Sequence, residues 1–331
     1  MTPFLFGGQP VAAGARRTVA LQVSVLANNT PMHLPVHVVH GASPGPVMFV
    51  SGVVHGDEIL GVEIVRRLLA HLKDVALAGT LLAVPIVNSF GFLNHSRYLP
   101  DRRDLNRSFP GSDHGSLASL LADLFFREVV LRSQFGIDLH TAALHRSNLP
   151  QVRIAPDDAA LKAMADAFAP PVVLTSKLRE GSLRLSAQEA GIKVLLYEGG
   201  EALRFDEDAI VMGVAGILRV MQSLGMIENA PVTHTPVFLS RSSTWVRAPE
   251  GGILHAARSV GSRVATRETI GMISDPLGED MVAVTAEDDG IIIGRTNLPI
   301  VNRGDALFHI ARIKGNTRGA VQAVPDEDEI I

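Results

Sequence analysis

A histidine and a glutamate three residues apart can close on one metal ion when a strand delivers both to the start of a helix. The stretch Ser51-Gly52-Val53-Val54-His55-Gly56-Asp57-Glu58 follows the apolar run Val47-Met48-Phe49-Val50 and opens the apolar-periodic segment Ile59 to Leu72. In an α/β protein the carboxyl end of a strand is where ligands bind. The pair by itself is weak. With 12 His and 34 acidic residues among 331, about one His-x-x-acid pair arises by chance. A His55 that caps the helix and a Glu58 in its first turn, favourable against the macrodipole, would explain the same residues. His140 shifts the balance, because Gly136-Ile137-Asp138-Leu139-His140 also reads as a strand ending at the same sheet edge. Two His, one carboxylate and an open fourth position describe a catalytic rather than a structural zinc. His95, His114 and His145 fall in loops with no strand to aim them and read as surface histidines.

Two further groups of residues supply what such a site lacks. Arg97-Tyr98-Leu99-Pro100-Asp101-Arg102-Arg103-Asp104-Leu105-Asn106-Arg107 carries four arginines in eleven residues. A solvated loop paired to Asp101 and Asp104 is the plain reading. The embedded Asp-Leu-Asn-Arg beside Ser108-Phe109-Pro110-Gly111 favours binding, since arginine's planar fork suits a carboxylate or a developing oxyanion. In Leu195-Leu196-Tyr197-Glu198-Gly199-Gly200 a carboxylate ends an apolar strand, where packing gives it no purpose. Near a metal-activated water, Glu198 is a candidate general base, with a capping role as the competing reading. Asp57, between the first two ligands, has no role that the sequence supplies.

The elements that must position these residues follow from periodicity. Thr18 to Leu26 and Met32 to Val39 alternate as two opening strands; Val47 to Val54, Thr80 to Val87, Gln151 to Ala155, Val172 to Thr175 and Ile192 to Tyr197 read as further strands. Helical spacing covers Ile59 to Leu72, Leu117 to Phe135, Asp157 to Phe168, Ser182 to Ala190 and Asp206 to Leu224. Strands alternating with helices imply an α/β fold, a mostly parallel or mixed sheet with helices on both faces. Gly91 to Gly115 has no periodicity, and a long structureless loop in a compact domain is usually functional. Past Ala230-Pro231 the helical spacing disappears and short β-rich runs alternate with Gly-containing turns. The expected organisation is a catalytic domain over 1–230, a small all-β domain over 231–315 and a flexible acidic tail over 316–331.

Composition narrows the function. Hydrophobic residues make up 47%, charged residues 19%, and the net charge is −4, which describes a globular protein with no electrostatic footprint for nucleic acid or an anionic membrane. With no cysteine, disulfides, thiolate nucleophiles and Cys-based zinc sites are excluded. No secretory signal and no run of roughly 20 apolar residues is visible, so a cytoplasmic location is the expectation.

Taken together, His55-x-x-Glu58, Asp104-x-Asn106-Arg107, His140 and Glu198, in that order on an α/β chain, resemble the succinylglutamate desuccinylase/aspartoacylase family, a branch of the zinc carboxypeptidase superfamily. The resemblance runs from about Leu21 to Gly225, and the β-rich end suits it as well. It implies one zinc held by His55, Glu58 and His140, with Asp104 orienting a ligand imidazole, that of His55. It assigns Arg97 to the scissile carbonyl and its oxyanion, with Arg102 and Arg103 as competitors. Asn106 and Arg107 would grip a substrate carboxylate. Glu198 would take a proton from water and pass it to the leaving amine. The implied reaction is hydrolysis of a small N-acyl amino acid, with no nucleic-acid or membrane partner and a homo-oligomer left open. The wording around Tyr197-Glu198-Gly199-Gly200-Glu201 is most similar to relatives acting on acetylated diamino acids. An inactive metal-containing binding protein and a zinc carboxypeptidase for short peptides remain as alternatives. Two rivals fail. Gly41-Ala42-Ser43-Pro44-Gly45 matches a nucleophile elbow literally, but Pro44 has no N–H to give an oxyanion. The β-rich end resembles a biotinyl/lipoyl hammerhead, yet no lysine lies between Lys193 and Lys314 to carry the cofactor.

Overall fold

The computed structural model describes residues 2–25, 28–234 and 236–313. A hairpin of β1 (Phe4–Phe6) and β2 (Gln9–Val11) precedes the long antiparallel pair β3 (Arg16–Val25) and β4 (Pro31–His40). Next come β5 (Ser43–Gly52), α1 (Leu60–His71) and β6 (Ala78–Val84), the two strands pairing in parallel. A short α2 (Ser89–Leu93), a 3-10 turn over Leu105–Arg107 and α3 (Leu117–Phe125) lead to β7 (Phe135–Ala142). The chain continues through β8 (Arg146–Ile154), α4 (Ala159–Phe168), β9 (Val172–Thr175), α5 (Leu183–Glu189), β10 (Lys193–Glu201) and α6 (Glu207–Ser223). The last part is all strand: β11 (Phe238–Ser240), β12 (Ser243–Arg247), β13 (Gly252–Ala256), β14 (Arg263–Val264), β15 (Thr269–Ser274), β16 (Met281–Thr285), β17 (Gly290–Thr296), β18 (Ile300–Val301) and β19 (Ala306–Arg312).

Thirteen of the described strands join in one mixed sheet, with the main order β12-β19-β17-β8-β10-β7-β5-β6-β4-β3. Its centre, β6-β5-β7-β10, is parallel, and antiparallel β4 and β8 flank it. From β5 the chain crosses to β6 on one side and returns to β7 on the other. The crevice at the carboxyl ends of β5 and β7 is therefore a topological switch point, where open α/β sheets bind ligands.

Two apolar cores cover the sheet. Helices α1, α4 and α6 bury Leu60, Ile64, Leu68, Phe168 and Ile217 with Tyr197 on one face; α3 and α5 bury Leu121, Phe125 and Leu183 with Phe49 on the other. In α1 the spacing of Leu60, Ile64, Val65 and Leu68 makes one buried stripe, while Arg66 and Arg67 turn outward to Glu63 and Glu207. Truncating any of these buried leucines to alanine should cost about 2–5 kcal/mol.

The structure differs from the sequence expectation in places. The helix expected over Leu117 to Phe135 ends at Phe125, and a π-helical turn runs on to Val130. The remaining residues return the chain to the sheet, where Phe135 already pairs with Met48. Gly136 lets β7 lie against the Phe49 ring, since a Cβ there would fall 2.2 Å from that ring. Strands β1 and β2, three residues each, precede the first run that alternation marks. The β-rich end has a core of its own around Leu254, Ile273, Ile292 and Phe308. Its strands β12, β19 and β17 nonetheless extend the main sheet through the β17–β8 pairing, Gly294 opposite Asn148. The expected tail lies outside the described residues. Among the described residues no helix is long and apolar enough to cross a membrane.

Candidate active site

Strand β5 ends at Gly52, and the next residues turn sharply enough that Val53 adopts φ 57°, a conformation a β-branched residue holds only when its surroundings impose it. The carbonyls of Gly52 and Val53 accept the N–H groups of Val87 and Asn88, which locks the turn against the segment after β6. Gly56 then donates to the carbonyl of Arg97 at 3.4 Å, tying the arginine-rich loop to the turn. No side chain fits at Gly56: a Cβ would lie 2.0–2.4 Å from backbone atoms of Gly91 and Phe92. Gly56→Ala is therefore expected to destabilise the fold by about 1–3 kcal/mol through overpacking and to displace His55 and Arg97 together. An unchanged melting temperature would show that the loop yields freely.

His55, Glu58 and His140 converge as a buried group whose donor atoms all lie within 4.8 Å of one another. They are 4%, 3% and 4% exposed. Glu58 bridges the two rings, its Oε1 lying 2.6 Å from His55 Nδ1 and its Oε2 2.7 Å from His140 Nδ1. The Thr141 N–H also donates to Glu58 Oε2 at 3.0 Å. Each imidazole turns its other nitrogen to a carboxylate: His55 Nε2 faces Asp104 Oδ1 at 3.2 Å and His140 Nε2 faces Asp138 Oδ2 at 2.7 Å. Asp138 is fixed in turn by the Ser51 hydroxyl, which donates to its Oδ1 at 2.7 Å.

This arrangement fits a divalent metal. His140 Nε2 is hydrogen-bonded to Asp138, and His55 Nε2 lies 3.2 Å from Asp104 outside hydrogen-bonding geometry; with the protons on these Nε2 atoms, both Nδ1 lone pairs face the Glu58 carboxylate. Lone pair against carboxylate is repulsive unless a proton or a cation lies between them. A set of two imidazoles and one carboxylate, each imidazole backed by a carboxylate, is what zinc takes.

Without the metal, protons fill that role. Burial opposes charging of His55, but Glu58 and Asp104 outweigh it and raise its pKa. Burial likewise opposes charging of His140, and Asp138 with Glu58 raises its pKa well above the usual value. Glu58 resists the desolvation that would keep it neutral, because the two imidazoles hold its pKa well below the carboxylate range. Asp104 is held low in the same way, by His55 and then Arg97 against its own burial.

The remaining candidates take distinct positions. Arg97 lies at the cluster: it donates to Asp104 Oδ2 at 2.8 Å, and its Nη1 is 3.3 Å from His55 Nδ1 and 3.5 Å from Glu58. Arg102 and Arg103 are exposed. Asn106 caps the start of α5, its Oδ1 accepting the Leu183 N–H at 3.0 Å, and Arg107 Nη1 donates to the Asn106 carbonyl. Glu198 sits in β10 opposite His140 in β7, so the two side chains leave the same face of the sheet. The Glu201 carboxylate accepts from the His145 N–H and from the Asn297 side-chain amide. Asp57 contributes its backbone, the carbonyl accepting the N–H of Leu203 at 2.8 Å. Burial, and next to it the Glu58 charge, raises the pKa of its carboxyl. Ser43 starts β5, at the far end of that strand from His55, and His95, His114 and His145 are exposed.

Sequence reasoning gave no role to Asp138, Ser51, Thr141 or Asn148. Asp138 carried a usable signal, since positions two apart in a strand share a face and it precedes His140 by two. Ser51 and Asn148 reach the site only through strand pairing, which nothing local announces.

Fold and site together define a class: an α/β protein with a buried His-Glu-His group of metal-binding geometry at the switch point of its sheet. The chain belongs to the succinylglutamate desuccinylase/aspartoacylase family, whose catalytic-domain model matches residues 44–224. The N-alpha-acetyl-L-2,4-diaminobutyric acid deacetylase of Halomonas elongata is 28% identical over 294 residues, 85% of this chain and 86% of that protein. A solved succinylglutamate desuccinylase/aspartoacylase from Rhodobacter sphaeroides is 26% identical with a TM-score of 0.77, covering 89% of this chain and 95% of that one. The product-bound ectoine utilization protein EutE (DoeB) from Ruegeria pomeroyi shares the fold at TM-score 0.78 and 22% identity, over 90% of this chain and 94% of that one.

Proposed function

We propose that this chain is a zinc-dependent amidohydrolase that removes the acyl group from a small N-acyl amino acid, an N-acetylated diamino acid being the first substrate to test. The observation that carries the reading is the convergence of two Nδ1 atoms on the single Glu58 carboxylate, each imidazole backed by its own aspartate. The 28% identity to a deacetylase of an acetylated diaminobutyrate supports the substrate class. Residues 1–230 form the catalytic unit in this reading, and 231–315 the β-rich one.

His55, Glu58 and His140 would hold the zinc, which when bound supplies Lewis acidity and makes water a nucleophile near neutral pH. Glu198 accepts the proton of the attacking water and returns it to the leaving amine. Arg97, already beside His55, steadies the charge that develops on the carbonyl oxygen. Arg107 and the Asn106 amide NH2 bind the substrate carboxylate, the Asn106 oxygen being held by Leu183. Asp138→Asn should leave the fold intact and weaken zinc affinity about 10- to 100-fold, read by competition with a chromophoric chelator; unchanged affinity would remove Asp138 from the site. The reading as a whole is tested with a panel of N-acyl amino acids and short peptides, with and without chelator. Deacylation that the chelator abolishes supports it. Chelator-resistant turnover, preferred cleavage of peptides, or bound zinc without any turnover would each overturn it.

A further inference from the structure

The contacts that hold Glu198 lead through β8 to β17 of the β-rich end. Glu198 is 8% exposed, and its Oε2 accepts a hydrogen bond from Asn148 Nδ2 at 2.8 Å. The Arg153 guanidinium is farther, with Nη2 3.7 Å from Oε1. Asn148 and Arg153 both lie on β8, antiparallel to β10, where the register shifts between Glu198 and Gly200. On its other edge β8 pairs with β17, and Asn148 stands opposite Gly294. A Cβ on Gly294 would lie 2.7 Å from Asn148 Oδ1, so glycine leaves the space this amide occupies. The next polar residue on β8, Gln151, is also tied to β17, donating to the Ile293 carbonyl at 3.2 Å.

We propose that Asn148, seated in the gap left by Gly294 of β17, is the positioning residue for the Glu198 carboxylate, which makes the C-terminal β-rich region a working part of the active site. The proposal rests on the reading of Glu198 as the general base. A neutral amide donor suits that task. It fixes the rotamer of the carboxylate through a directional bond, while stabilising the anion less than a full positive charge at the same distance would. Asn148 bonds one oxygen of the carboxylate, and the Arg153 guanidinium lies on the side of the other.

The test uses the full-length, zinc-loaded enzyme and the acyl amino acid it turns over best. Asn148→Asp keeps the shape and replaces the donor with a carboxylate that repels that of Glu198; kcat should fall at least 10-fold with KM within about twofold and zinc content unchanged. Gly294→Ala should lower kcat by displacing the amide, and should cost little more in the Asn148→Ala background, because the two changes act through one contact. A normal kcat for Asn148→Asp, a loss confined to KM, or additive effects in that cycle would overturn the proposal. Asn148→Asp needs no room, so it decides the matter even where Gly294→Ala fails to fold. Glu198→Gln separates the two levels. An inactive Glu198→Gln beside a normal Asn148→Asp defeats only the positioning role, whereas an active Glu198→Gln defeats the assignment of the base.

Discussion

Replacing Glu198 by glutamine is expected to lower kcat by about 10²–10⁴-fold, the contribution of a positioned proton-transfer group, while zinc content and fold stay as they are. Glutamine preserves the shape and can still accept the Asn148 N–H through its carbonyl oxygen, so the hydrogen bond at 2.8 Å need not be lost. What it cannot do is take up a proton from water. None of His55, Glu58 and His140 is altered, which is why metal content should not follow activity. The measurement is kcat with bound zinc determined on the same preparation. Turnover within threefold of the unaltered enzyme would mean that another group moves the proton.

Removing the metal is expected to abolish deacylation completely and reversibly, and to lower the melting temperature. An ion that binds only the native state at a thousand times its dissociation constant stabilises it by about 4 kcal/mol. The pH dependence has a definite sign. In the metal-free protein His55 and His140 carry raised pKa values, driven by Glu58 with Asp104 and Asp138 against the opposing effect of burial. Their ion pairs with Glu58 thus contribute stability that is fully present below about pH 6.5, the unfolded value, and is lost as pH rises through the raised folded values. In the proposed zinc enzyme the metal would displace those same protons, so its apparent affinity should rise with pH over that range. Melting temperatures with and without zinc should diverge as pH increases. Curves that stay parallel would show that the two imidazoles are not the ligands.

The fold was largely legible because its signals are local. Alternating apolar residues in β3 and β4, the Leu60-Ile64-Leu68 stripe of α1 and the glycine-punctuated runs after residue 230 each declare an element within a dozen residues. The errors fall where tertiary contacts override that signal. Phe135 belongs to β7 because it pairs with Met48, and helical spacing cannot reveal a strand partner far away in the chain. The engagement of Glu201 by His145 and Asn297 likewise depends on segments that only the folded sheet brings together.

The sequence by itself determined which residues could hold a metal and in what order they arrive, because His55, Glu58 and His140 sit at strand ends that hydrophobic patterning marks. It also determined the arginine-rich loop with its Asp104, Asn106 and Arg107, and the placing of Glu198 on a buried strand. Tertiary structure alone decided how these groups are aimed. Which arginine of the loop reaches His55, which aspartate backs His140, and that Asn148 holds Glu198 across from Gly294 follow from strand order and register. Those are long-range properties: a one-residue shift between β8 and β10 would turn Asn148 to the opposite face, and no local pattern in either strand records the pairing that prevents it.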